Sequence, residues 1–347
     1  MSLPAPPFLE QKPVSSRLDA LDGWRGLSIL AVLSSHMLPL GPKAWRLNES
    51  AGPLGMALFF TLSGFLITRF LLHRSHVGDF LVRRFARILP LAWLALLITL
   101  PLVQAPADAY LPNFLFYANL PPQHLTEAAS HFWSLGVEMQ FYLGVALLVA
   151  VAGRRGLLAL PVLCVAVTLH RIQAGSPVDI VTWRRVDEIL AGATLALAVG
   201  GALGARAQHA LRRLNAWWLL PVFLISCHPA GGPLNYVRPY LAGLLVGATL
   251  VSPTAWQLRL LKHKGLVYIA SISFALYVVH HLLMYTWLGE ADTRVIKYVK
   301  RIPLFALTFA LAHVSTFYFE HPCMDWGKRL SARLGWSGRP ASPNTPR

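Results

Sequence analysis

The sequence predicts an all-α polytopic membrane protein of about ten transmembrane helices with both termini cytoplasmic. Three observations carry that prediction. Of the 347 residues, 55% are hydrophobic and only 13% charged, far more apolar than a soluble domain of this length. The apolar residues gather into runs near the length of about 20 residues that a bilayer crossing requires. The Lys and Arg residues fall between these runs, so the net charge of +16 reads as membrane topology and not as a nucleic-acid footprint.

In chain order the first run, near residues 24–40, lacks a small-residue cleavage pattern behind it, so it reads as a retained helix and not a removed signal. The second lies near 53–72, and the third, near 88–104, follows a basic segment. Residues 133–152 and 156–171 form the fourth and fifth, and 185–203 the sixth. The seventh, 216–228, is short and bordered by Pro and Gly, which leaves counts from eight to eleven open. Spans near 236–252, 266–288 and 302–320 complete the ten.

Alternate connections hold 21 and 10 of the Lys and Arg residues, and the richer side is cytoplasmic by the positive-inside rule. Residues 105–132, on the opposite side, have none. Arg294, Lys297, Lys300 and Arg301 run against the rule. The expected organisation is a cytoplasmic segment over 1–16, a membrane domain over 17–325 and a basic, disordered cytoplasmic tail over 326–347, rich in Ser, Pro and Gly. Cys164, Cys227 and Cys323 form no C-x-x-C pair, so no disulfide framework or structural zinc site is implied.

Four polar groups interrupt the apolar pattern. Arg25 and His36 mark the two ends of LDGWRGLSILAVLSSHML, roughly 16 Å apart on a helix, which places Arg25 near the cytoplasmic surface and His36 well into the membrane. An ionisable group at such depth is costly and points to function; a neutral imidazole there could take a proton from a hydroxyl, or be satisfied by a neighbouring helix. Arg83, Arg84 and Arg87 share a helix face and present donors suited to phosphates, or anchor the chain among lipid headgroups. Glu138 lies about 8 Å inward from Trp133, where a carboxylate must be paired, protonated or hydrated. Trp133, Phe141 and Tyr142 read most simply as an interfacial aromatic belt. Arg184, Arg185, Asp187 and Glu188 open the sixth span, as substrate contacts or structural pairs. In the ninth, Tyr277 and His281 share a face with His280 beside them; with no carboxylate or Cys at ligand spacing, no metal is expected.

Taken together these segments resemble membrane-bound acyltransferase family 3, the family of O-antigen and exopolysaccharide O-acetylases. LDGWRGLSILAVLSSH resembles its opening motif through Arg25 and His36. LFFTLSGFLI, with Ser63, Gly64 and Phe65, resembles the second-span motif, and RRFARILP the basic motif. FWSLGVEMQFYL, RRVDEILAGATLA, SISFALYVVHH and FYFEHP, with Glu320 and Pro322, follow in the family's order over about residues 17–325.

The resemblance implies a ten-helix fold in a bacterial cytoplasmic membrane. It also implies transfer of an acyl group, usually acetyl from cytoplasmic acetyl-CoA, to a hydroxyl of a glycan or lipid-linked sugar on the far side. It carries the base to His36, a carboxylate to Glu138 and donor handling to Arg25, Arg83, Arg84 and Arg87. Ser63, Trp133, Tyr142, Arg185, Asp187, Tyr277 and His280 are the residues expected to bind or orient substrate, with Glu138 or Tyr277 orienting either His36 or the sugar. Trp24 replaces a usual leucine, and Met139 stands where a second acid often sits, which weighs against a paired-carboxylate mechanism. Some members carry a fused extracytoplasmic hydrolase-like domain; without one, acceptor choice would fall to the bundle or to a partner. The expected partners are acyl-CoA, a sugar acceptor and the bilayer, with no nucleic acid. A transporter or flippase of lipid-linked sugar is the alternative function, and a non-catalytic scaffold a third.

Overall fold

A computed structural model describes residues 14–73, 76–290 and 292–336. Among them the chain is all-α, without a strand. Helix α1 (Val14–Met37) starts ten residues before the predicted span because Ala20, Leu21 and Trp24 bury against the rest of the bundle, with Trp24 Nε1 donating to Thr249 Oγ1 at 2.8 Å. That earlier start corrects the expected depths: Arg25 sits mid-helix, and His36 lies in the last turn, exposed. Helix α2 (Leu47–His73) follows. Helix α3 (Val77–Leu102) absorbs the basic segment, so Arg83, Arg84 and Arg87 ride on the membrane helix itself.

A short α4 (Ala107–Phe114) lies in the Lys- and Arg-free connection. Helix α5 (Trp133–Ala152) occupies the predicted fourth span. Gly153, at φ 61°, breaks it, and a tight helical stretch Gly153–Ala159 leads into α6 (Leu160–Gln173). Then come α7 (Asp187–Val199), α8 (Ala205–Arg213), α9 (Ala216–Cys227) and α10 (Leu234–Val251). Helix α11 (Ala255–Leu261) turns 108° from α10 behind a capping box of Thr254 and Gln257. Helices α12 (Lys264–Ser271) and α13 (Ser273–Met284) meet at 68°. Helix α14 (Arg294–Val314) passes through a π-helical turn, Ser315–Glu320, into α15 (His321–Arg333).

By length and composition four helical stretches can cross a bilayer: Leu47–His73, Val77–Leu102, Ser130–Gln173 and Val295–Arg333; the two bent pairs raise the number to six. The expected ten is thus a looser count. Helix α7 has 13 residues and α9 has 12, roughly 20 Å at the helical rise against a hydrocarbon core of about 30 Å. Helix α1 is diluted by Asp22, Arg25 and its serines. The tail also begins later than expected, because α15 continues to Arg333 and packs on α3, where Ser331 Oγ donates to Asp79 Oδ1 at 2.5 Å. The rest of the expected tail, 337–347, and residues 1–13 lie outside the described residues.

Helices α2 and α7 cross with almost no clearance. A Cβ on Gly64 would lie 1.8 Å from the Ile189 carbonyl oxygen, and one on Gly192 would lie 1.9 Å from that of Thr61. Small residues let membrane helices approach this closely, so Gly64 of the second-span motif is a packing residue beside Ser63. Gly64→Ala is expected to cost about 1–3 kcal/mol through overpacking, visible as a lowered unfolding temperature in nanodiscs. An unchanged transition would contradict the crossing.

Candidate active site

Two cavities flank the middle of the bundle. The inner one, on the expected cytoplasmic side, is lined by Arg25 of α1, Phe59 and Ser63 of α2, Arg84 and Arg87 of α3, and Glu138 and Tyr142 of α5. It encloses about 40 Å³, room for roughly three waters. Arg84 and Arg87 also line an adjoining cavity of about 190 Å³ with Arg83, Met324 and Lys328. Arg25 pairs with Asp22 at 3.4 Å, and Arg83 is held by Asp79, itself buried and bonded to Ser331. Arg84 lies over the rings of Phe80 and Tyr142, at 6.0 and 5.9 Å. Neither Arg84 nor Arg87 makes an ion pair among the described residues, which leaves both guanidinium groups able to meet an anion. Ser63 Oγ donates to Glu138 Oε1.

The outer cavity encloses about 240 Å³ and is lined by His36, Met56, Ser130, His131, Trp133, Asp179, Arg185, Tyr277 and His281, among others. His36 Nδ1 lies 3.0 Å from His280 Nε2, with the two rings meeting edge to edge, 6° from parallel and 5.3 Å apart between centroids. His281 meets His36 edge-on at 5.6 Å and donates from Nδ1 to the Ala128 carbonyl at 2.9 Å. Tyr277 OH donates to the His131 carbonyl at 2.5 Å and lies 2.6 Å from Ser134 Oγ. Between the cavities, Phe59 of the inner wall stacks on Tyr277 of the outer wall, 7° from parallel at 6.3 Å. No group of three or more His, Cys, Asp or Glu side chains converges for a metal among the described residues.

Behind Trp133 lies an ion network. Arg171 pairs with Asp187; Glu188 takes Arg185 at 3.2 Å and Arg238 at 2.9 Å; the Arg185 guanidinium stands 5.3 Å above the Trp133 ring. All five ionic side chains are buried.

The structure brings His36, Tyr277, Trp133 and Arg185 to one cavity, with His280 buried against His36, and Arg25, Arg84, Arg87, Ser63, Glu138 and Tyr142 to another. Glu138 does not join the histidines; the side chain that His36 meets is His280. Asp187 lies within the ion network. Phe141 and Tyr142 are buried in the core and not in an interfacial belt, because α5 packs inside the bundle. His131, Ser134, Lys328, Arg171 and Arg238 are additions that the sequence reading does not single out. For Arg171 and Arg238 a signal is present, since each is an arginine inside or at the end of an apolar run. For Lys328 there is none, since nothing in the sequence seats α15 beside α3.

A multi-pass bundle with a basic pocket on one side and a histidine cavity on the other defines a membrane-embedded enzyme. The chain belongs to the family whose model is described as an acyltransferase domain, which matches residues 18–321. It is 26% identical to nodulation protein 10 of Rhizobium leguminosarum bv. viciae, over 80% of this chain and 84% of that protein. It is 23% identical to the peptidoglycan O-acetyltransferase OatA of Listeria monocytogenes, over 87% of this chain and 55% of OatA. YrhL of Bacillus subtilis is 25% identical over 91% of this chain. The chain spans about half the length of OatA and YrhL, 55% and 56%. No solved structure matches it.

Proposed function

We propose that this chain is an integral membrane O-acyltransferase that moves an acyl group, acetyl from acetyl-CoA in the first instance, to a hydroxyl of a glycan or lipid-linked sugar. The observation that carries the reading is the pairing, in a chain of the acyltransferase family, of an inner arginine pocket with an outer histidine cavity across the contact of Phe59 with Tyr277. Arg84 and Arg87, with Lys328 of the adjoining cavity, take the phosphates of the donor. Arginine forks suit phosphate oxygens, and charge-assisted bonds are the strong ones. The acyl arm passes Phe59 and Tyr277 toward His36.

There His36 takes the proton of the acceptor hydroxyl. The hydroxyl oxygen bonds the acyl carbon, the carbon–sulfur bond breaks, and the proton returns to the departing thiolate. Glu138, held by Ser63 in the inner pocket, lies on the donor side of this route. The peptidoglycan O-acetyltransferase name of OatA supports a glycan acceptor.

The test is acetyl-CoA binding by the chain in nanodiscs. Arg84→Ala is expected to weaken binding about 10- to 100-fold, the worth of one charged hydrogen bond of about 1.5–3 kcal/mol. Folded wild-type protein that binds no acetyl-CoA would overturn the donor assignment.

A further inference from the structure

Hydrogen bonding fixes where the protons sit in the histidine cluster. Nδ1 of His280 faces two carbonyl oxygens of its own helix, Tyr277 at 2.7 Å and Leu276 at 3.2 Å. A carbonyl only accepts, so that nitrogen bears the hydrogen. In a neutral imidazole the other nitrogen then holds the lone pair, so His280 Nε2 is an acceptor. Its neighbour at 3.0 Å, His36 Nδ1, must therefore donate. This leaves the lone pair of His36 on Nε2, which makes no hydrogen bond among the described residues, while the exposed ring lines the outer cavity. His281, whose Nδ1 donates to the Ala128 carbonyl, makes no hydrogen bond to His36 among the described residues.

We propose that His280 is a positioning residue that holds His36 in the Nδ1–H tautomer and aims its Nε2 lone pair at the acceptor hydroxyl. The inference rests on the reading of His36 as the base and specifies how that base is prepared. His280 is suited to this role because it is wholly buried and its two backbone bonds lock both ring orientation and tautomer. A carboxylate holds the base in serine-protease triads, where a substitution that reverses the tautomer lowers kcat about 10⁴-fold. Here a neutral imidazole backed by two carbonyl dipoles fills that place. When His36 gains a proton at Nε2, the positive charge spreads through the Nδ1–H bond into His280.

The experiment is ¹⁵N NMR of histidine-labelled protein in nanodiscs, with His36→Gln assigning the His36 signals, run beside acetyl transfer. His36 is expected to be protonated at Nδ1 in the wild type and in His280→Gln, whose amide oxygen can still accept, and to lose that preference in His280→Leu. His280→Leu should lower kcat about 100-fold with KM within about twofold, and His280→Gln should restore at least about tenfold of the loss. Nε2-protonated His36 in the wild type would overturn the proposal, as would equal impairment of both variants with an unchanged His36 tautomer. If the tautomer follows residue 280 as described but no acyl transfer occurs, the positioning role stands and the proposed function falls.

Discussion

His36→Ala is expected to lower acyl transfer about 10³-fold while leaving acetyl-CoA binding within about twofold of wild type. A positioned general base contributes about 10²- to 10⁴-fold, and of the three histidines that line the outer cavity only His36 is exposed. Tyr277 spends its hydrogen on the His131 carbonyl, and Trp133 has no basic nitrogen. The inner cavity contains Arg84 and Arg87 but not His36, so under the proposed function binding and chemistry should separate cleanly. The fold should survive the change, because His36 is exposed at the end of α1 and makes one side-chain hydrogen bond, worth on the order of 1 kcal/mol. Thioester consumption measured beside equilibrium binding reads both quantities at once. Wild-type turnover in His36→Ala would remove His36 from the chemistry and return the assignment to the other histidines.

What is legible in the sequence follows from which interactions are local. Apolar runs report burial in lipid, so α5 can be read whole and α2 and α3 in their apolar parts, and His36, at one end of its stretch, announces itself by its cost. Depth is not legible: the early start of α1 depends on Trp24 meeting Thr249, 225 residues away. The bends at α10–α11 and α12–α13 escape a hydropathy run because it is blind to direction. The partition of the site into two cavities is equally hidden. Glu138 and His36 both read as intramembrane ionisable groups, yet they line different cavities, with Phe59 of one wall against Tyr277 of the other. His280 can be named beside Tyr277 from spacing, yet its contact with His36 spans 244 residues.

Asp187→Asn is expected to act on folding and not on substrate affinity. Its carboxylate is fully buried, held by Arg171 and by Thr168 Oγ1 at 3.1 Å, and is absent from the walls of both cavities. Arg171 is equally buried, with a second bond to the Pro177 carbonyl at 2.5 Å. Removing one partner of such a pair leaves a charge that neither water nor lipid can solvate, a loss of about 3–5 kcal/mol. Thermal unfolding in nanodiscs should show it as a fall on the order of 10 °C. The pair itself contributes less than that figure, because its formation costs both desolvation penalties. Arg171→Met with Asp187→Leu should therefore recover most of the stability lost by Asp187→Asn alone. An Asp187→Asn protein with wild-type unfolding and a raised acceptor KM would instead make Asp187 a substrate contact, with Arg171 stable without it.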